Sequence, residues 1–191
     1  TGLANNASVA STSTGTNSTD GTQVFNPSGA TVTLPAETFA PGSQANYTTT
    51  VACVGATLSG GTPGSTFTMP DNDVTCTYTN TRKQGTLQVR KTWVNAQVGD
   101  SASISVTGIV NAATAGLNST ANSANETDPG SVVAMYAGEM ATFSEAVTPS
   151  ASYTSSFECV ASAGAAAGGA FAKAVGDTYT MPSTPVDVVC T

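Results

Sequence analysis

Apolar and polar residues alternate with a period of two at several places along the chain, which predicts half-buried β-strands. In TLQVRKTWV, Leu87, Val89, Lys91 and Trp93 share one face, and in SASISV, Ala102, Ile104 and Val106 do the same. Tyr47, Thr49, Val51 and Cys53 alternate with small polar residues, as do Tyr153, Ser155, Phe157 and Cys159. The division is sharpest in DVTCTYTNT. There Val74, Cys76, Tyr78 and Asn80 take one side, and Thr75, Thr77, Thr79 and Thr81 take the side that must face water. No segment sustains a 3.6-residue period, and GAAAGGAFAKA carries too much glycine for a stable isolated helix. Short strands separated by Gly, Pro and Asn turns predict a β-sandwich class of fold.

The chain also matches itself. Thr1-Gly2 in TGLANNASVASTST aligns with Thr107-Gly108 in TGIVNAATAGLNST, and Tyr47 and Cys53 align with Tyr153 and Cys159, all at an offset of 106. Further on, STFTMPDNDVTC returns as DTYTMPSTPVDVVC, pairing Met69-Pro70 with Met181-Pro182 and Cys76 with Cys190. The extra residues fall largely in SAGAAAGGAFAKAVG, where a loop lengthens at small cost. Each repeat therefore holds one equivalent cysteine pair, and Cys53–Cys76 and Cys159–Cys190 are the expected disulfides. Residues 86–106 have no counterpart in the first half, and nothing after Cys190 matches Tyr78-Thr79-Asn80-Thr81. The expected division is residues 1–83 as a first repeat lacking its first strands and residues 84–191 as a second lacking its last strand.

Polar residues interrupt the inward faces. Lys91 lies among Leu87, Val89 and Trp93, and Asn80 among Val74, Cys76 and Tyr78. Glu145 alternates with Ala141, Phe143 and Val147, and Glu37 holds the matching place in LPAETFAP. A lone ammonium on an apolar face costs several kcal/mol unless it is paired or neutral. A first-strand Lys, a mid-domain Glu in an ET-x-AP context before a Tyr, and an Asn near the end of a last strand resemble the isopeptide-forming B-type repeats of bacterial surface proteins and pilins. CTYTNTRKQGTLQVRKTWV and LPAETFAPGSQANY are also similar to the prealbumin-like repeats of very large secreted adhesins.

The resemblance implies a transthyretin-like sandwich in which a lysine amine attacks an asparagine side-chain carbonyl while a glutamate shuttles protons. In the first repeat it implicates Glu37, Asn80 and a Lys upstream of Thr1. In the second it implicates Lys91, Glu145 and an Asn beyond Thr191. Lys91 and Asn80 fall in different repeats. The blander reading has Lys91 reaching the rim and Asn80 closing a turn.

Composition narrows the classes. Charged residues are 9% of the chain, with 5 Lys or Arg against 12 Asp or Glu, no His and a net charge of −7. That balance argues against nucleic acid and anionic lipid as partners. No run reaches a membrane span, so membrane insertion is not expected, and the first residues lack the features of a signal peptide. Four dispersed cysteines without a CxxC or a histidine do not make a zinc site and imply an oxidising, extracellular or cell-surface setting. Without His, a nucleophile elbow or a phosphate loop, no catalytic constellation is present, and no cofactor or metal is expected.

Asp71-Asn72-Asp73 and Glu126 with Asp128 lack EF-hand spacing and read as turns. Asn6, Asn17, Asn46, Asn118 and Asn125 begin N-glycosylation triplets, which arise readily by chance in a Ser/Thr-rich chain.

The expectation is an all-β chain of tandem Ig-like or transthyretin-like antiparallel β-sandwich repeats with one disulfide each. Its function would be that of a non-catalytic structural or adhesive module in a secreted bacterial surface protein or extracellular fibre. Its partners would be neighbouring repeats or identical subunits, together with a host or surface ligand. Two rival readings are a pilus-like filament subunit completed by strand exchange and a carbohydrate-binding module using Trp93.

Overall fold

The computed structural model is mostly β and describes residues 10–11, 21–40, 42–161 and 176–191. Most of TGLANNASVASTST and nearly all of the loop SAGAAAGGAFAKAVG lie outside the described residues. The chain forms two compact units, Thr1–Phe39 with Thr49–Thr81, and Ala40–Thr48 with Arg82–Thr191. Apart from Ala40–Thr48, the division falls between Thr81 and Arg82. Ala40–Thr48 departs from it because Lys83 ties that segment down: its N–H donates to the Asn46 carbonyl and its Nζ to the Ala45 carbonyl, both at 2.8 Å.

In the first unit, β1 (Thr31–Thr33), β2 (Tyr47–Val54), β3 (Thr66–Thr68) and β4 (Thr75–Arg82) form two two-stranded sheets, β1 with β3 and β2 with β4. Val32, Leu34, Val51 and Phe67 are buried, with Cys53, Leu58, Met69, Val74, Cys76 and Tyr78 packed around them. Thr75, Thr77, Thr79 and Thr81 are all exposed, as the alternation requires.

The second unit contains β5 (Gln84–Val94), β6 (Ser101–Thr107), one helical turn α1 (Ala112–Ala115), β7 (Leu117–Thr120), β8 (Asn125–Tyr136), β9 (Met140–Thr148), β10 (Cys159–Ala161), β11 (Thr178–Thr180) and β12 (Val188–Cys190). Two four-stranded sheets result, ordered β10-β12-β5-β8 and β11-β9-β6-β7. They share one core, to which Leu87, Val89, Met135 and Val188 come from the first sheet and Val106, Ala141, Phe143 and Tyr179 from the second. A smaller cluster gathers Trp93, Ala96, Ala102 and Ala121.

Two details correct the sequence expectation. The sheets are not wholly antiparallel, since β12 runs parallel to β5 with Val188 opposite Leu87 and Cys190 opposite Val89. A last strand that enters from the same end as the first can pair with it in no other direction. Tyr153–Glu158 turns Tyr153 and Phe157 inward but is not strand, and its last residue, Glu158, exchanges reciprocal hydrogen bonds of 2.9 and 2.8 Å with Thr191.

The disulfides join Cys53 to Cys76 and Cys159 to Cys190, across sequence separations of 23 and 31. Cys159 and Cys190 are direct cross-strand neighbours, so the bond locks β10 to β12. Closing loops of these lengths stabilises each unit by about 3–4 kcal/mol on the chain-entropy estimate. The two bonds imply an oxidising, non-cytoplasmic setting. No described helix is long and apolar enough to cross a membrane.

Gly85 lets the β12 approach segment lie against β5, since a Cβ there would stand 2.2 Å from the Val186 carbonyl oxygen. Backbone is in the way, so a side chain cannot swing clear. Gly85→Ala is expected to cost about 1–3 kcal/mol, read as a lower urea midpoint at an unchanged slope.

Candidate functional site

Lys91 sits on the inward face of β5, where its neighbours on the same face, Val89 and Trp93, are each 1% exposed. Its counter-charge arrives from the other sheet: Nζ lies 2.7 Å from Glu145 Oε1 on β9, with the two side chains 14% and 9% exposed. The ammonium also stands 4.6 Å from the Trp93 ring centroid, a cation–π contact that further offsets its desolvation. Trp93 is fixed in turn. Its Nε1 donates to Ser119 Oγ at 2.7 Å, Ser119 Oγ donates to Asp128 Oδ2 at 2.5 Å, and Tyr153 packs edge-on at 5.4 Å.

In the first unit Glu37 meets Asn80. The Asn80 amide nitrogen donates to Glu37 Oε1 at 3.0 Å, while its carbonyl oxygen accepts from the Thr49 hydroxyl at 2.6 Å. Both ends of the amide are therefore held, and the hydroxyl polarises the carbonyl in the sense that favours attack on its carbon. The other oxygen of Glu37 is buried without a hydrogen-bond partner among the described residues. Asn80 itself is exposed, which corrects the expectation of a covered position on the inward face of β4; among the described residues only β2 pairs with that strand. Tyr78, two residues earlier, donates to the Pro35 carbonyl at 2.8 Å. Burial, and then the negative charge of Glu37, push the Tyr78 phenol above its ordinary value.

The four polar residues singled out by pattern thus fall into two pairs, Lys91–Glu145 in the second unit and Glu37–Asn80 in the first. Thr49 was not anticipated, although the signal for it exists: it lies four residues before Cys53 as Asn80 lies four after Cys76, and the 106 offset carries it onto the hydroxyl of Ser155. Glu139 was also missed. Buried at 7% exposure, it accepts the N–H groups of Val110 and Tyr136 at 3.0 and 2.8 Å and fastens the β8–β9 turn, with Arg82 alongside at 3.9 Å.

The remaining candidates take structural roles. Trp93 has no open ring face to offer a sugar. Asn72 donates to the Gly55 and Asp73 carbonyls, and Glu126 accepts the Asn122 N–H and the Ser123 hydroxyl within its own turn. Among the described residues no three His, Cys, Asp or Glu side chains gather as a metal site. Asn118 and Asn125 are exposed, Asn46 is half-buried, and Asn6 and Asn17 lie outside the described residues. No family model, characterised protein or solved structure matches the chain.

Two measurements test this geometry. Breaking one side of a buried ion pair costs about 3–5 kcal/mol, whereas replacing both partners by apolar groups is far milder. Glu145→Leu alone is therefore expected to destabilise strongly and Lys91→Met/Glu145→Leu to recover most of the loss, giving a large coupling in a double-mutant cycle by urea denaturation.

For Tyr78 the folded state favours the neutral phenol. Its contribution is complete below the ordinary phenol value of about 10 and is lost as pH rises through the raised one. Thermal midpoints should fall less steeply in that alkaline range for Tyr78→Phe than for the unaltered chain.

Proposed function

We propose that this protein is a non-catalytic, load-bearing segment of a secreted surface protein or extracellular fibre, built from tandem B-type or prealbumin-like repeats that harden themselves covalently. What carries the reading is the pair of carboxylates. Glu145 holds a lysine and Glu37 holds an asparagine, so each unit by itself presents part of the Lys–Glu–Asn set that such a cross-link uses.

The chemistry balances within the protein. A proton passes from Lys91 Nζ to Glu145 Oε1 across their 2.7 Å contact, and the neutral amine adds to the side-chain carbonyl carbon of an asparagine. The new C–N bond forms as the C–NH2 bond breaks, and the carboxylate relays both protons shed by the lysine nitrogen to the departing group, which leaves as ammonium while Glu145 ends as it began. The cross-link forms once and nothing turns over. Two disulfides in the same small units fit a chain selected to stay folded outside the cell.

Strand direction supports the mechanical role. β5 and β12, the first and last strands of the second unit, are parallel neighbours. Force applied at the ends of that unit shears their ladder lengthwise and loads all its hydrogen bonds together.

Single-molecule pulling tests the load-bearing role with one molecule held in two ways. Anchors at Gln84 and Thr191 shear β5 against β12, whereas anchors at Gln84 and Tyr136, which are direct partners on β5 and β8, unzip one pair at a time. The shear geometry is expected to break at a severalfold higher force. Equal forces would remove the mechanical proposal.

A further inference from the structure

We propose that the outer face of the β10-β12-β5-β8 sheet docks a second copy of this chain, the two copies being related by a two-fold axis that runs along β12. The inference does not rest on the cross-linking reading. It starts from the side chains that strand alternation turns away from the core. One register row crosses all four strands: Val160 of β10 pairs with Val189 of β12, Val189 with Gln88 of β5, and Gln88 with Val132 of β8. Val132 is 60% exposed and Val160 46%.

The other sheet of the same unit presents a different outer face. Ser103, Ser105 and Thr107 on β6, Thr142 and Ser144 on β9 and Thr178 on β11 point outward there. Among the described residues, Met140 is the one exposed large apolar side chain on that face. The chain thus clothes one outer face in hydroxyls and sets valines in register on the other. A valine row of this kind, rimmed by polar residues, marks an interaction surface.

Charge identifies the occupant. In the next row, Glu158 exchanges main-chain hydrogen bonds with Thr191, and Arg90 pairs with Pro129. Glu158 and Arg90 are both exposed. They belong to β10 and β5, two strands apart with β12 between them, about 10 Å at the usual strand spacing. The ion pairs among the described residues are Arg82–Glu139 and Lys91–Glu145, which leaves Arg90 and Glu158 to an outside partner. Arg90 is already set in place. Its Nε and Nη2 donate to Gln88 Oε1 at 3.1 and 3.0 Å, and Gln88 Nε2 donates to the Gly130 carbonyl at 3.0 Å. The guanidinium is therefore ordered beside the valine row, with Nη1 left to meet an incoming carboxylate.

A two-fold axis along β12 exchanges β10 with β5. It sets Arg90 of each copy across from Glu158 of the other, so the ion pair forms twice. Val189 meets Val189 at the centre, Val160 is covered by the aliphatic stem of Gln88, and Val132 closes the rim. Facing sheets pack about 10 Å apart, a gap that an arginine and a glutamate span together. An isologous interface requires one patch to match itself, and this one does so in both its apolar row and its charges. The net charge of −7 opposes pairing in other orientations.

Sedimentation equilibrium of the full 191-residue chain tests the proposal. A reversible monomer–dimer equilibrium is expected. Arg90→Glu and Glu158→Arg should each weaken it roughly tenfold or more, because each sets like charges across the interface at two places. The double exchange Arg90→Glu/Glu158→Arg should restore it. Both side chains lie on an outer face, so an unchanged urea midpoint will show that the variants remain folded. A chain that stays monomeric into the millimolar range overturns the proposal. A dimer indifferent to both single variants assigns the contact to another face, and a dimer that the double exchange fails to restore rules out the axis along β12; either result overturns the proposal as well.

Discussion

A lysine can occupy the inward face of β5 only because a carboxylate reaches it from the facing sheet. Lys91 and Glu145 belong to β5 and β9, strands of different sheets, so their contact spans the layer between them. The desolvation of two charges is offset by a 2.7 Å charge-assisted contact and by the Trp93 ring. Trp93 must then be held still, and Ser119, Asp128 and Tyr153 do this. An apolar pair of similar volume would be at least as stable on general grounds.

The disulfides prepare the same region. Cys190 is fixed to Cys159 and lies opposite Val89, one inward position before Lys91. In the first unit, Cys53–Cys76 and Thr49–Asn80 are two rungs between β2 and β4, each four residues from the other along its strand. The amide is thus held at a fixed distance from the bond that locks it. Both units use the disulfide as a register pin as well as a brake on unfolding.

Much of this was legible before any coordinates, for a reason of period. A strand exposes its faces to direct reading, so Lys91 and Glu145 could be placed on buried faces from their neighbours alone, and the threonine side of β4 could be placed in water. The disulfide pairing was legible because the Tyr-to-Cys and Met-Pro-to-Cys sequence patterns occur twice, each time with one cysteine pair. What stayed hidden depends on through-space partners. Glu139 binds the main chain of Val110 and Tyr136, and no spacing encodes that. The parallel direction of β12 is set by where the chain re-enters the sheet. Asn80 was placed on the correct face, but its exposure depends on what lies beside β4, which alternation does not report.

The covalent bonds and the ladder also answer different threats. Thermal opening is opposed by anything that lowers the entropy of the unfolded chain, and the two disulfides do so over 23 and 31 residues. Force along the chain is not opposed by them in the same way, because a loop-closing bond between β10 and β12 leaves the β5–β12 shear plane uncrossed. Only a bond joining β5 to the strand beside it would carry that load. Lys91 lies on β5 and holds Glu145 of the facing sheet at 2.7 Å, so the charged pair ties the two sheets together while the disulfide ties β10 to β12 within one of them.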